Sequence, residues 1–428
     1  MTTTMAITLA VTAVMAVLFL WGKFPFGLVT MSCSLVLVLT GVSTLSEGLT
    51  GLTNTSVILV ASMFAMTAAL QKTDVPYYMT KLIGKLEGKS DYLLMGAIIV
   101  IFLIATTVLP IEVITLLVVS FVALLPKGSA MTPARVILPL LLLGCTWNFA
   151  FPVGLGATMD AMANVYMEGI VSDSTLLFSV GDLFTMRIIP TAAVALYALF
   201  LWKRIPDHEI NMDNMQAGEG KRSELPKWKN VLVYVTFIAV VIVMLLSGIF
   251  GNLMYYLPAI FVCLYGFTGI LSSKEIINGV ACDTVWMLVG ILGVTTALTN
   301  SGAAALLGNL LVPLVSWTSN GFLILVLIGG FTALLTTFLS NFGTIGVLGP
   351  LAASLAVAAG MDPRSLVAAV VINGMYAFCF PSGSTTTAFA YALGQYNPIK
   401  CLKYTVPCLI LVVIATAFSI SIICPPFG

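Results

Sequence analysis

The side chains able to handle charge in this chain stand out against their surroundings, because a polar group among apolar residues costs free energy unless something binds it. The pattern Phe-Pro-x-Gly occurs twice, as Phe151-Pro152-Val153-Gly154-Leu155-Gly156-Ala157-Thr158 and as Phe380-Pro381-Ser382-Gly383-Ser384-Thr385-Thr386-Thr387, each inside a long apolar run. Pro and Gly interrupt a helix, and an interruption at membrane depth frees backbone N–H and C=O groups to meet ions. An isolated Thr in such a helix ordinarily bonds its own i−4 carbonyl. Thr385, Thr386 and Thr387 behind Ser382 and Ser384, with Ser340, Asn341 and Thr344 in another interrupted run, are instead a set of donors suited to an anion. The first half offers fewer such groups: Thr106, Thr107, Asn148, Thr158 and Asp160.

A cation needs acceptors. Gly154, Gly156, Gly343 and Gly383 permit positive φ and close backbone approach, so unwound carbonyls there, with Asn341 and Ser382, would coordinate Na+. Glu112 follows Leu109-Pro110-Ile111 in an interrupted apolar run. A carboxylate at that depth is costly unless it meets a cation, a proton or water, so Glu112 is expected to take up a proton or complete a sodium shell. Asp160 is a weaker candidate, and Asp283, at the start of a span, reads as an N-cap. No Lys or Arg falls in the core of any predicted span, which leaves half-helix N-termini and Ser, Thr and Asn donors to hold an anion.

The elements that must position these groups are membrane helices. Of the 428 residues 60% are hydrophobic and 8% charged, against roughly a quarter charged in a soluble domain; the mean hydropathy is +1.09. The eight cysteines form no C-x-x-C pair and His208 is the one histidine, which argues against a transition-metal site, a disulfide framework or a histidine-based triad. A net charge of +1 gives no case for nucleic acid. Met1 to Ala10 has no basic n-region, so the first apolar segment reads as a transmembrane helix, not a cleaved signal.

Apolar segments of spanning length run at about 5–21, 27–45, 54–71, 134–165, 186–202, 231–250, 255–272, 284–300, 366–395 and 404–424. Two further runs are too long for one helix, with halves short for a full span. These are about 91–126, broken at Thr106-Thr107-Val108-Leu109-Pro110, and about 321–359, broken at Ser340-Asn341-Phe342-Gly343; both read as re-entrant hairpins. Pro76 to Lys89 reads as an amphipathic helix on the inner surface. With the N-terminus outside, every Lys and Arg except Arg187 and Arg364 falls on the inner side, as the positive-inside rule requires. The fold expected is therefore an all-α, multi-pass inner-membrane protein with both termini extracytoplasmic and broken helices at the midplane.

The chain also repeats itself. At an offset of about 228 residues Thr40-Gly41-Val42 matches Thr268-Gly269-Ile270, Glu47 matches Glu275, Gly51 matches Gly279 and Ala69-Leu70 matches Ala297-Leu298, and Met131-Thr132-Pro133 matches Met361-Asp362-Pro363 slightly later. Each half then holds five spans and one hairpin, and an odd number of spans turns the second half upside down. The expected division is 1–202, a polar cytoplasmic linker at 203–230, and 231–428.

At these residues the chain resembles the divalent anion:sodium symporters, the Indy-type dicarboxylate carriers of the ion transporter superfamily. That family carries Ser-Asn-Thr at each hairpin tip and a broken helix beside it. Phe338-Leu339-Ser340-Asn341-Phe342-Gly343-Thr344 is similar to the second hairpin motif, with Phe342 in the Thr position, and Pro381 to Thr387 is similar to the second broken helix. Leu138-Pro139-Leu140 through Thr158 resembles the first broken helix, while the first hairpin departs most, with Leu109-Pro110-Ile111 and then Glu112. The resemblance implies a homodimeric secondary carrier of small anions, di- or tricarboxylates, driven by Na+ or H+ or by exchange, with elevator-type alternating access. It implies no enzyme activity and no cofactor, Na+ entering only as a coupling ion. The rivals are a Na+/H+ antiporter using Glu112 and Asp160, and a membrane-embedded enzyme or receptor, against which the lone histidine and the repeat both argue.

Overall fold

The computed structural model describes residues 2–21, 23–74, 91–107, 111–123, 130–152, 156–171, 173–208, 210, 223–245, 250, 252–303, 306, 318–338, 341–381 and 383–427. Among them the long elements are all helices. They run Thr3–Trp21, Phe26–Leu39, Thr55–Gln71, Asp91–Ala105, Ile111–Ala123, Pro133–Trp147, Ala157–Met167, Asp182–Leu201, Lys227–Leu245, Leu253–Phe267, Asp283–Asn300, Gly321–Phe338, Asn341–Ala358, Pro363–Asn373, Thr385–Leu393 and Pro398–Ile423. Leu45–Gly48 and Ser273–Val280 are short helices between spans. Every expected span, both interrupted runs and both broken helices therefore contain helix. The segment 76–89, the linker centre 211–222 and the hairpin tip 108–110 lie outside the described residues.

Local signals explain several ends. Pro133, Pro363 and Pro398 start helices, where a missing N–H costs nothing. Thr44 and Glu47 form a capping box, and Ser272 and Glu275 form another. Just before each box the preceding helix ends on a left-handed glycine, Gly41 at φ 72° and Gly269 at φ 66°, a conformation only glycine adopts without strain. The repeat read from sequence thus recurs as paired backbone geometry.

Packing recurs in the same way. Helix 26–39 packs on helix 283–300, and their counterparts 253–267 and 55–71 pack on one another. The first seam has no room for a side chain. A Cβ on Gly290 would lie 2.4 Å from the Thr30 carbonyl carbon and one on Gly27 2.6 Å from Trp286 Cβ, while one on Gly293 would meet the Gly48 oxygen of the adjoining short helix 45–48. Asp283 fastens it further, its Oδ1 accepting from Gly27 N at 2.8 Å; it stands in the first turn behind the cap residue Cys282, and is not itself the cap expected. Gly51 lies against Val289 and its counterpart Gly279 against Ala65.

The first hairpin's limbs, 15 and 13 residues, are short as expected. Those of the second are 18 residues each, about 27 Å of helix, and Asn341–Ala358 is apolar enough to cross a membrane on length and composition alone. That limb is buried along much of its length, packed on helices 363–373 and 157–167. Helix 385–393 packs in turn on 133–147, so the two broken helices share one core.

Candidate functional site

In the second half, helix 363–373 stops at Gly374 and the described residues that follow stay unwound until helix 385–393 begins. Its carbonyls still need donors. The Thr387 hydroxyl donates to the Ala377 oxygen at 2.5 Å, and the Tyr391 hydroxyl reaches the oxygens of Phe378 and Cys379 at 3.2 and 2.9 Å. Ser384 caps the new helix, its Oγ accepting from Thr387 N at 3.1 Å and lying 2.8 Å from Thr387 Oγ1. Thr387 is fully buried, and its hydrogen bonds hold the break in shape. Thr386, beside it, is half-buried.

The second hairpin meets this break. The Thr336 hydroxyl lies 2.7 Å from the Gly374 oxygen and 3.1 Å from Asn341 Oδ1. A Cβ on Gly383 would stand 2.8 and 3.0 Å from the carbonyl oxygens of Thr336 and Thr337. The carbonyl end of helix 321–338 and the amide ends of helices 341–358 and 385–393 therefore converge. Each helix end carries about half a unit of charge, positive at the amide end and negative at the carbonyl end. Two positive ends beside one negative end can hold an anion next to a cation.

The interruption in this hairpin is narrower than Ser340-Asn341-Phe342-Gly343. Asn341, Phe342 and Gly343 form the first turn of helix 341–358. One position on, Thr344 is buried and its hydroxyl has no hydrogen-bond partner, so it is the site's least satisfied donor. Gly156, Gly343 and Gly383 do not use the positive φ open to a glycine. What they supply is the absence of a Cβ: one on Gly156 would overlap the Phe151 carbonyl.

In the first half, helix 133–147 ends at Asn148, and Phe149 takes φ 55°, rare for an aromatic residue. Trp147 Nε1 donates to the Leu103 oxygen at 3.0 Å, tying this break to the first hairpin. Gly144 fits against Ile111 of that hairpin and Gly374 against Ile345 of the other. Thr106 and Thr107 donate to their own helix, at Leu103 and Ile104, so Thr107 is not brought into the site as a donor. Thr158 is buried in the first turn after the break. For Glu112 and Thr385 the structure describes backbone position only, each in the first turn of its helix; Ser340, Ser382 and Gly154 lie outside the described residues.

Asp160 is buried, and its two oxygens accept from the backbone amides of Gly181 at 2.8 Å and Leu183 at 3.0 Å. It caps helix 182–201. Arg187, one turn along that helix and near its start, is packed inside the protein. It is 1% exposed, and Nη1 donates to the Asn148 oxygen at 2.6 Å. Counting charges along the chain assigned it to the outer surface; the signal that would have found it is a second lone charge, Asp160, in the apolar segment before.

Comparison with known proteins fits this geometry. An uncharacterized transporter of Haemophilus influenzae is 23% identical over 95% of this chain and 90% of its own length. An uncharacterized transporter of Synechocystis is 28% identical, but over 36% of this chain and only a quarter of its own length. The crystal structure of the YdaH transporter of Alcanivorax borkumensis, which has an unusual topology, superposes with a TM-score of 0.60 over 95% of this chain and 98% of that one, at 14% identity, a likeness of fold. A family model described as citrate transporter matches residues 16–372. The chain belongs to the citrate transporter family.

Proposed function

We propose that the protein is a secondary active carrier of small di- or tricarboxylates, driven by Na+ or H+ or by anion exchange, and not an enzyme. The observation that supports it is the meeting of the Thr336–Thr337 carbonyl end with the helix starts at Asn341 and Thr385. A carrier needs such a place, where a carboxylate and its counter-charge bind without a shell of water. Substrate contacts fall to Asn341, Thr344, Ser384 and Thr386, and Na+ contacts to the carbonyls facing Gly383 with Asn341. The inverted halves would work as an elevator, each hairpin and broken helix moving against a scaffold formed around helices 26–39 and 283–300, within a homodimer.

Uptake of labelled citrate and succinate into proteoliposomes tests this, with imposed Na+, pH or counter-anion gradients. No uptake under any gradient would refute the carrier reading. Glu112→Gln keeps the shape and removes the charge, so it should weaken the response to the coupling gradient more than anion binding. Identical gradient responses in variant and wild type would leave Glu112 a solvated tip residue. A Na+/H+ antiporter using Asp160 finds less support, since both oxygens of that carboxylate already serve as a helix cap.

A further inference from the structure

Arg187 sits in a membrane helix, buried, with one nitrogen on the Asn148 carbonyl and two, Nε and Nη2, with no hydrogen-bond partner. A guanidinium without a counter-charge in that setting is expensive. Asp160 lies within electrostatic range, but no ion pair joins it to Arg187 among the described residues. The two free nitrogens form one edge of the planar group, the edge whose parallel N–H bonds match the two oxygens of a carboxylate.

Further hydroxyls lie on the neighbouring turns. Helices 182–201 and 398–423 pack together and run antiparallel: the Tyr404 hydroxyl donates to the Arg204 oxygen, the Tyr197 hydroxyl to the Tyr404 oxygen, and Asp182 lies in electrostatic range of Cys424 at the far end. This register sets Ser419 across from Arg187 and Thr416 across from Thr191. The hydroxyls of Ser419 and Thr191 are buried without hydrogen-bond partners. Thr416 shares a 2.9 Å hydrogen bond with the hydroxyl of Tyr376, which lies in the second break and within electrostatic range of Arg187. The two unpartnered hydroxyls thus stand near Arg187 by register, Thr191 one turn along its own helix and Ser419 on the facing helix.

We infer that the Nε–Nη2 edge of Arg187, with the hydroxyls of Ser419 and Thr191, binds a carboxylate of the transported anion. The inference rests on the carrier reading for the identity of that anion. Binding of citrate, succinate, acetate and chloride to the full-length protein in nanodiscs, by calorimetry, tests it in wild type, R187Q, R187K and S419A. Citrate or succinate should bind wild type, R187K should weaken it by about tenfold or more because an ammonium has no planar fork, and S419A by a few-fold. R187K and S419A keep the test open if R187Q fails to fold. Wild-type affinity in R187K, or in a folded R187Q, would overturn the inference. So would Arg187-dependent binding of acetate or chloride that citrate and succinate cannot displace, which would mark a resident anion. Arg187-dependent citrate binding without uptake by wild-type vesicles would refute the carrier reading and leave the fork in place. Full uptake by R187K beside lost uptake in Asn341→Ala would do the reverse.

Discussion

The Phe149 ring packs on the Phe342 ring, with centroids 6.4 Å apart and planes inclined at 41°, so the first helix break touches the first turn behind the second hairpin's tip. The contact is apolar and joins the two halves of the chain beside the candidate site. Such aromatic pairs contribute about 0.5–1.5 kcal/mol beyond the area they bury. A double-mutant cycle with Phe149→Leu and Phe342→Leu, read by unfolding in detergent, should return a coupling of that size. Additivity within about 0.3 kcal/mol would mean the rings merely neighbour each other.

Thr344→Val separates stability from function. The hydroxyl it removes is buried and has no hydrogen-bond partner, so melting should be unchanged or higher. Citrate or succinate uptake should fall about tenfold to a hundredfold, as for Asn341→Ala and Thr386→Val, if a donor to a buried anion is lost. Unimpaired uptake in Thr344→Val would take Thr344 out of the site.

The proposed inversion of the halves would make repeat-related positions face opposite sides. Ser46 and Lys274 occupy matching places in the two capping-box helices, and both are exposed. In a background without native cysteines, Ser46→Cys should react with an impermeant thiol reagent from outside and Lys274→Cys from the cytoplasm alone. Labelling of both from one side would reject the inverted arrangement.

The Lys72 ammonium, 2.6 Å from Glu275, holds that carboxyl from its ordinary 4.5 down to about 2, with help from the Ser272 amide. A depressed carboxyl favours the fold above its unfolded value and loses that effect as pH falls through the folded one. Melting temperature should therefore drop between pH 4.5 and about 2 in wild type and drop less in Glu275→Gln. The step should be small, since both side chains are more than a third exposed. An identical profile for the variant would dismiss the pair as a stabilising contact.

Much of this was legible in the residues. Long apolar runs and the Pro/Gly breaks announce helices 133–147 and 157–167, or 363–373 and 385–393, because they act through local backbone geometry. What escaped were the partners of polar groups. Nothing in the sequence pairs the Thr387 hydroxyl with the carbonyl of Ala377, ten residues back along the chain. Asn341 and Gly343 look like turn residues, yet they begin a helix, where small polar residues also fit. The burial of Arg187 was hidden because a tally of charge by loop records side, and burial is set by packing against another helix.

The glycine seam between helices 26–39 and 283–300 offers an internal ruler. Backbones that meet with no space for a methyl group cannot slide or tilt past one another without collision. Spin labels placed on the exposed flanks of those two helices, for instance at Val36 and Thr299, should report one unvarying distance with ligand and without. Any label elsewhere whose distance to that pair changes is then reporting on the part of the molecule that travels.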